Sequence, residues 1–352
     1  MVISNLSSNV ILAKARAMYG RRLTLENYKD LLACRNVNEV ASYLKTKTAY
    51  KSALIGINEN SVHRGQLEVK IKQKIFEDYA SLCRYEVTVG EHFARYLIQR
   101  SEVEQILHSL LTMQGDVPSE FSLPMYISRR TQINLSAINQ AKTFEDLLNA
   151  VNRTPYRKIL ESFRPIAGIP LNFTGIENAL YTYLFKDVFD IIEKQTHFET
   201  QKQLYEIFNT YIDLTNYTRI VRLKVSYNAS PDFVRSSLLP FGSIEKKPFN
   251  DMINASSVEE ITEIMAKTIV GKRFLKINHS YVDEIPHYAN YIINHHNIRY
   301  STHPSVVLLS YTFLMQSELT DIITIIEGMR YQLPPDEIKK LLIIYHYKER
   351  GD

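Results

Sequence analysis

IENALYTYLFKDVFDIIEKQTHFETQKQLYEIFNTYIDLTNYTRIVRLKVSYNAS, residues 176–230, contains neither glycine nor proline. Within it Leu180, Tyr183, Leu184, Val188 and Ile191 recur at steps of three and four, which places them on one face of an amphipathic helix. The stretch Gln66–Val89 also lacks both residues. The whole chain of 352 residues has only 11 glycines and 12 prolines, and most fall between periodic segments. Strand-like alternation is not sustained over a useful length. The sequence therefore reads as all-α with long helices. Its 23 tyrosines and 15 phenylalanines, with no tryptophan, suit broad helix–helix contacts with hydroxyls at their edges.

Around these helices the chain repeats itself. LLACRNVNEVASYLKTKTAYKSAL, residues Leu31–Leu54, aligns without a gap on AINQAKTFEDLLNAVNRTPYRKIL, residues Ala137–Leu160, at an offset of 106. Glu39 then meets Glu145, Thr48 meets Thr154, Tyr50 meets Tyr156 and Leu54 meets Leu160. A third copy starts at Asp251, at an offset of 114, with Ala255 on Ala141, Glu259 on Glu145 and Thr268 on Thr154. Val270 replaces the tyrosine there. In each copy a polar stretch leads into a helix, and an early Glu favours the positive end of its dipole.

A second motif interleaves with this module. EVEQILHSLLTMQGDVP begins at Glu102, DLTNYTRIVRLKVSYNASP at Asp213 and ELTDIITIIEGMRYQLP at Glu318. The fourth residues are Gln105, Asn216 and Asp321, and each segment ends in a proline, at Pro118, Pro231 or Pro334. Proline cannot continue a helix, so these positions are expected to mark the exits. The order is short-helix module then long helix, three times: residues 1–118, 119–231 and 232–352, with long helices shared between neighbours. Any helical solenoid gives such repetition, but three copies of this length suit a compact body with pseudo-threefold symmetry.

Composition narrows the function. Hydrophobic residues are 45% and charged residues 23%, the balance of a folded soluble protein rather than a disordered one. The basic residues of Met1–Tyr19 follow the short apolar Val10-Ile11-Leu12, so no signal peptide is expected. No stretch reads as a membrane span of uncharged apolar residues. Cys34 and Cys83 form no CxxC and no disulfide framework. The formal net charge is +4, and the excess concentrates at Arg219, Arg222, Lys224, Arg235, Lys246 and Lys247. A solvated basic face is the simpler reading and a docking surface for an acidic partner the sharper one. No basic–aromatic module indicates nucleic acid.

Catalytic motifs are missing. Gly271-Lys272 is followed by Arg273, and Ala266 stands where a P-loop needs its first glycine; neither GxGxxG nor GxSxG occurs. His279, His287, His295, His296 and His303 cluster in sequence, but their spacing matches no zinc motif, and adjacent His295 and His296 point to different helix faces. Ordinary polar or helix-terminal histidines are the expectation. The reading is a non-enzyme without metal or cofactor.

The opening NVILAKARAMYGRRLTLENYKDLL resembles that of the C subunit of prokaryotic V-type ATPases, the counterpart of the eukaryotic d subunit. Leu23, Thr24, Glu26, Tyr28, Leu31 and Leu32 fill the family's turn into its short-helix module, and Thr48-Ala49-Tyr50 fills its Thr-x-Tyr. Asp213, Asn216, Arg222, Lys224, Pro240 and Gly242 match the family's Asp-Leu-x-Asn, Arg-x-Lys and Leu-x-Pro-x-Gly segment. ELTDIITIIEGMRYQLPPDEI is similar to its closing helix. The chain departs from the pattern at Asp321, where asparagine is usual, at Ile323 in place of an arginine, and in the first ending, which lacks the Arg/Lys pair.

The resemblance implies a funnel of three similar helical domains on the cytoplasmic face of a membrane rotor ring, peripheral to the bilayer and present once per complex. Its partners would be the central-stalk subunits and the ring. Its task would be to pass torque for ATP-coupled H+ or Na+ transport or ATP synthesis. Candidate partner contacts are Asp213, Asn216, Arg219, Arg222, Glu318 and Asp321, with helix capping and fixing of neighbouring repeats as the alternative role. A helical-repeat adaptor unrelated to rotary motors is the competing function.

Overall fold

A computed structural model describes residues 2–59, 61–89, 93–115, 131–166, 168–276 and 281–348. Eighteen α-helices occur among them, with no strand. Pro118 and His279 lie outside the described residues.

Two compact units emerge from the packing: Met1–Glu91 with Phe198–Tyr211 and Phe274–Asp352, and His92–His197 with Ile212–Arg273. In the first, the Pro304–Arg330 helix packs on Val2–Tyr19, Arg64–Val89 and Ile285–Tyr300. That central helix is long and apolar enough to cross a membrane, but 78% of its most apolar window is buried within the chain. Its hydropathy therefore serves a core: Val306, Val307, Leu308 and Leu309 are wholly enclosed. In the second unit the Ala94–Met113 helix packs on Phe173–Gln195, around Val103, Ile106, Leu147, Leu148, Ile176 and Leu180.

The glycine-free run 176–230 is not one helix. Phe173–Gln195 stops where the Thr196 hydroxyl donates to the Ile192 carbonyl at 2.6 Å, and Phe198–Tyr227 begins after an extended His197. A β-branched residue that bonds back to its own helix offers the backbone an alternative to continuing.

The prolines act differently from expectation. Phe198–Tyr227 ends at Asn228, which is left-handed with φ 45°, and the Ala229 N–H closes on the Leu223 carbonyl. Pro231 then opens the next short helix at its first turn, where its missing N–H costs nothing. After Pro304–Arg330 the left-handed residue is Gln332, and Pro335 opens Pro335–Lys340. So a left-handed residue ends the long helix and proline starts the short helix after it.

The capping of the modules corrects the gapless alignment by one residue. Asn36 caps Val37–Lys47, with Glu39 accepting the Arg35 N–H at 2.8 Å. Thr143 caps Phe144–Ala150, and the acid that answers it is Asp146, not Glu145. Ser257 caps Val258–Lys267, and Glu260 rather than Glu259 accepts the Ser256 N–H, at 2.9 Å. Glu145 pairs instead with Arg164. The first module has one residue more between its cap and its threonine, so Glu39, Asp146 and Glu260 are the true equivalents. The threonines do correspond: Thr48, Thr154 and Thr268 each donate to a carbonyl of the preceding helix end, at 2.6, 2.7 and 2.7 Å.

Candidate functional site: the buried acids that fasten the modules

Four carboxylates are buried among the described residues, and all four belong to the repeated long-helix endings: Glu102, Asp213, Glu318 and Asp321. Burying a charge is costly unless donors surround it. Each of these acids meets that requirement with backbone N–H groups, supplemented in most cases by a hydroxyl.

Glu102 accepts the Gln132 N–H at 2.6 Å, the Thr131 hydroxyl at 2.7 Å and the Tyr156 hydroxyl at 2.6 Å. It thus holds both the entry and the far end of the second module. Glu318 repeats the arrangement on the first module, accepting the Leu23 N–H at 2.8 Å and the Tyr50 hydroxyl at 2.6 Å. Burial and the neighbouring carboxylates push the phenols of Tyr50 and Tyr156 up, so they remain donors.

The third module has Val270 where the others have tyrosine, and its acid is one methylene shorter. Asp213 accepts the Ser243 N–H at 2.9 Å and the Ser243 hydroxyl at 2.6 Å, so a serine at the module's entry supplies the missing O–H. The shorter reach draws the loop close. Gly242 has φ 125°, and a Cβ there would collide with Asp213 Oδ1.

The fourth residue of each ending is also buried. Asn216 accepts the Leu239 N–H and donates to the Leu239 carbonyl, both at 2.9 Å. Asp321 accepts the Ile343 N–H at 2.7 Å and the Ile344 N–H at 3.2 Å. Both hold the segment after the long helix. Gln105 is enclosed, at 1% exposure, and the stretch that would answer Leu239 falls within 116–130, outside the described residues.

The fastenings therefore cycle through the sequence. The first ending holds module two, the second holds module three, and the third holds module one. Glu318, near the end of the chain, accepts from Leu23 near its beginning.

Burial raises the proton affinity of Asp213, Glu318 and Asp321. Asp321 is pushed up to about 7, chiefly by desolvation, with the Glu318 charge adding to it and the two N–H donors opposing. Desolvation likewise raises Glu318 and Asp213. A folded-state value above the unfolded one means the native state binds more protons, so this stabilisation is complete in acid and is lost as pH rises through the folded value.

Of the six residues singled out from sequence, Asp213, Asn216, Glu318 and Asp321 are thus enclosed and bonded within the chain. Arg219 is half-buried, reaching the Ser237 carbonyl at 3.2 Å and Glu177 at 3.5 Å. Arg222 is exposed. Elsewhere in the basic segment Lys224 bonds the Ala255 carbonyl and Arg235 bonds Asn250, while Lys246 and Lys247 are exposed. Sequence reasoning did not single out Tyr50, Tyr156 or Ser243 as partners of the acids. The recurrence of Glu with Tyr in two repeats, and the joint loss of both in the third, was the signal available.

The histidines do not converge. His295 is buried, edge-on to Tyr19 and stacked on Tyr291, whereas His296 is exposed beside Tyr300. Among the described residues no three His, Cys, Asp or Glu side chains are placed to hold a metal. Gly271, in the failed P-loop pattern, packs against the Met265 carbonyl.

Tyr156→Phe removes one of three donors to Glu102 and is expected to cost about 1–2 kcal/mol, read as a shift in the denaturation midpoint. A shift no larger than that of an exposed control such as Tyr227→Phe would contradict the Glu102–Tyr156 bond.

Among its described residues the chain is helical without strands, and its repeated long helices grip short-helix modules through buried acids, which defines the class as a helical-repeat protein. It belongs to the ATP synthase (C/AC39) subunit family, whose model matches residues 11–341. The C subunit of the A-type ATP synthase from Thermococcus gammatolerans is 22% identical over 234 residues, covering 66% of this chain and 61% of that protein. The protein of the same name from Methanosphaera stadtmanae is 20% identical over 270 residues, covering 73% of this chain and 67% of its own length.

Proposed function

We propose that this chain is the non-catalytic central-rotor subunit of a V-type rotary ATPase. It is a socket between central stalk and membrane rotor ring that transmits torque for ATP-coupled cation transport. The match to the ATP synthase (C/AC39) subunit family over residues 11–341 carries this reading. The buried fastenings support it in physical terms. A torque coupling must resist shear between its parts, and each module here is gripped by two or more hydrogen bonds to a buried carboxylate. A carboxyl group offers several acceptor sites, so one buried side chain fastens two or three donors at once. The family resemblance implies three helical repeats arranged as a funnel, peripheral to the membrane on its cytoplasmic face.

In this reading Asp213, Asn216, Glu318 and Asp321 act on partners indirectly, by fixing the modules that meet them. The exposed cations Arg222, Lys246 and Lys247 are the direct candidates, to face acidic residues of stalk or ring, while Arg219 is held by Glu177. Tagging the chain in its native host and solubilising the membranes in mild detergent tests the assignment. Stalk, ring and ATPase hexamer subunits are expected in the eluate, with one copy of this chain per complex. Intact rotary complexes left entirely in the flow-through would refute it. Arg222→Glu combined with Lys246→Glu is expected to weaken recovery of those subunits at least about tenfold at low salt; recovery equal to wild type would remove these cations from the contact.

A further inference from the structure

PDFVRSSLL, residues 231–239, and PDEIKKLLI, residues 335–343, are versions of one connector at an offset of 104. Each opens with a short helix that has proline in its first turn, Pro231–Ser236 and Pro335–Lys340. Each buries the same three positions, Val234, Leu238 and Leu239 in one and Ile338, Leu342 and Ile343 in the other. Each then gives an N–H to the fourth residue of the preceding long-helix ending: Leu239 to Asn216 at 2.9 Å, Ile343 to Asp321 at 2.7 Å. Beyond that point they part. After Leu239 the backbone runs straight on to Ser243, where Asp213 grips module three. Glu318 grips Leu23 instead, which no short stretch of backbone joins to Ile343. Connector and module are continuous in one repeat and separate pieces in the other.

We propose that Leu25–Ala33, Ile285–Tyr300 and Pro304–Arg330 form a peptide-binding site whose exchangeable occupant is residues 335–348, a strap that closes module one when docked and opens it when released. The site takes a short amphipathic segment of the pattern Pro-Asp-x-(Val/Ile), with a Leu-(Leu/Ile) pair four residues on. The strap rests on contacts within this chain and is independent of the rotary reading. Its two short helices, Pro335–Lys340 and Ile343–Lys348, pack on those three helices. Ile338 sits on Gly328, where a Cβ would lie 2.5 Å from its Cγ1. Tyr345 is edge-on to Tyr28 of module one, and His346 stacks on Tyr288 at 4.2 Å. The segment's polar side chains also bond within it: Lys340 to Glu337 at 2.7 Å, and His346 to the Lys340 carbonyl at 2.6 Å. It therefore behaves as a ligand, with an apolar face turned to its site and charges satisfied on its own outer face. A short chain link keeps the second connector at high local concentration beside module three. Residues 335–348 have no such link to module one, so their release costs only the contacts named here.

The test uses the full chain with a protease site inserted between Leu333 and Pro334, both exposed. After cutting, a labelled synthetic peptide of residues 334–348 is expected to replace the cut segment, and unlabelled peptide to chase it out. Washing the segment away is expected to raise amide exchange in 25–33 at least about tenfold, and added peptide to restore protection. A peptide carrying Ile338→Asp is expected to do neither. In the uncut chain, Gly328→Ala displaces Ile338 without weakening its own helix, since alanine is the better helix former. It is expected to raise exchange in 335–348 and 25–33 at least about tenfold, with 143–160 changed less than about threefold. A cut segment that leaves without altering exchange in 25–33 overturns the strap. So does one that no peptide replaces while the chain stays helical by circular dichroism, which would make it ordinary core. If the inserted site prevents folding, Gly328→Ala decides: exchange equal to wild type in both segments overturns the proposal.

Discussion

Glu318→Ala is expected to destabilise the chain by about 3–5 kcal/mol, the largest effect of any single side-chain truncation outside the apolar core. The loss strands two buried donors, the Leu23 N–H and the Tyr50 hydroxyl. It also opens space beside an existing small cavity, which the surrounding helices can only partly close. The damage should be directional: the first module, residues 23–54, loses exchange protection before the second, residues 131–161. Glu318→Gln separates geometry from charge. Its amide oxygen replaces one acceptor and it no longer takes up a proton on burial, so a cost under about 2 kcal/mol is expected. If Glu318→Ala proved no worse than a surface substitution in urea denaturation, the carboxylate would not be the fastener described.

Gly242→Ala is the second large effect, at about 2–4 kcal/mol, from the smallest possible change in side chain. Two penalties coincide. The backbone there has φ 125°, a conformation that residues with a Cβ rarely adopt, and the added methyl collides with Asp213 Oδ1. Asp213 cannot yield, since it holds Ser243 through N–H and hydroxyl at once. Relief therefore comes only from breaking the third module's fastening. Circular dichroism should show native helix content with a lowered urea midpoint, and exchange should rise in 243–267. A stability within about 0.5 kcal/mol of wild type would mean that the loop relaxes freely and that its close approach to Asp213 is incidental.

Much of this architecture was written in the sequence. The paucity of glycine and proline, with steps of three and four at Leu180, Leu184 and Val188, indicated the all-α class, and these residues are enclosed in a helix. The acids at 102, 213 and 318 stood out because they recur at equivalent places, and they are the fasteners. Their partners were harder to see. Leu23, Gln132 and Ile343 donate through backbone N–H groups, which leave no mark on residue type. The single extra residue in Val37–Lys47 was invisible to a gapless alignment because Glu145 and Asp146 are adjacent acids, and only hydrogen-bond geometry distinguishes the cap from its neighbour. The break at Thr196–His197 involves no glycine or proline, the residues on which breaker rules rest. Burial of Glu318 and Asp321 follows from the apolar helix that carries them, which residue type alone, acidic in both cases, does not announce.

The proposed socket role requires this chain to join the ATP-driven part of the machine to the ion-moving part without taking part in either chemistry. Membrane vesicles from a host strain lacking the chain, compared with the same vesicles after purified chain is added back, test it directly. The measurement is the ratio of ions moved to ATP hydrolysed. The account predicts that hydrolysis by the ATPase subunits persists without the chain while ion movement falls to background, and that adding the chain restores the ratio. Ion movement that continues at the wild-type ratio in its absence would contradict the account and leave a helical scaffold with another task.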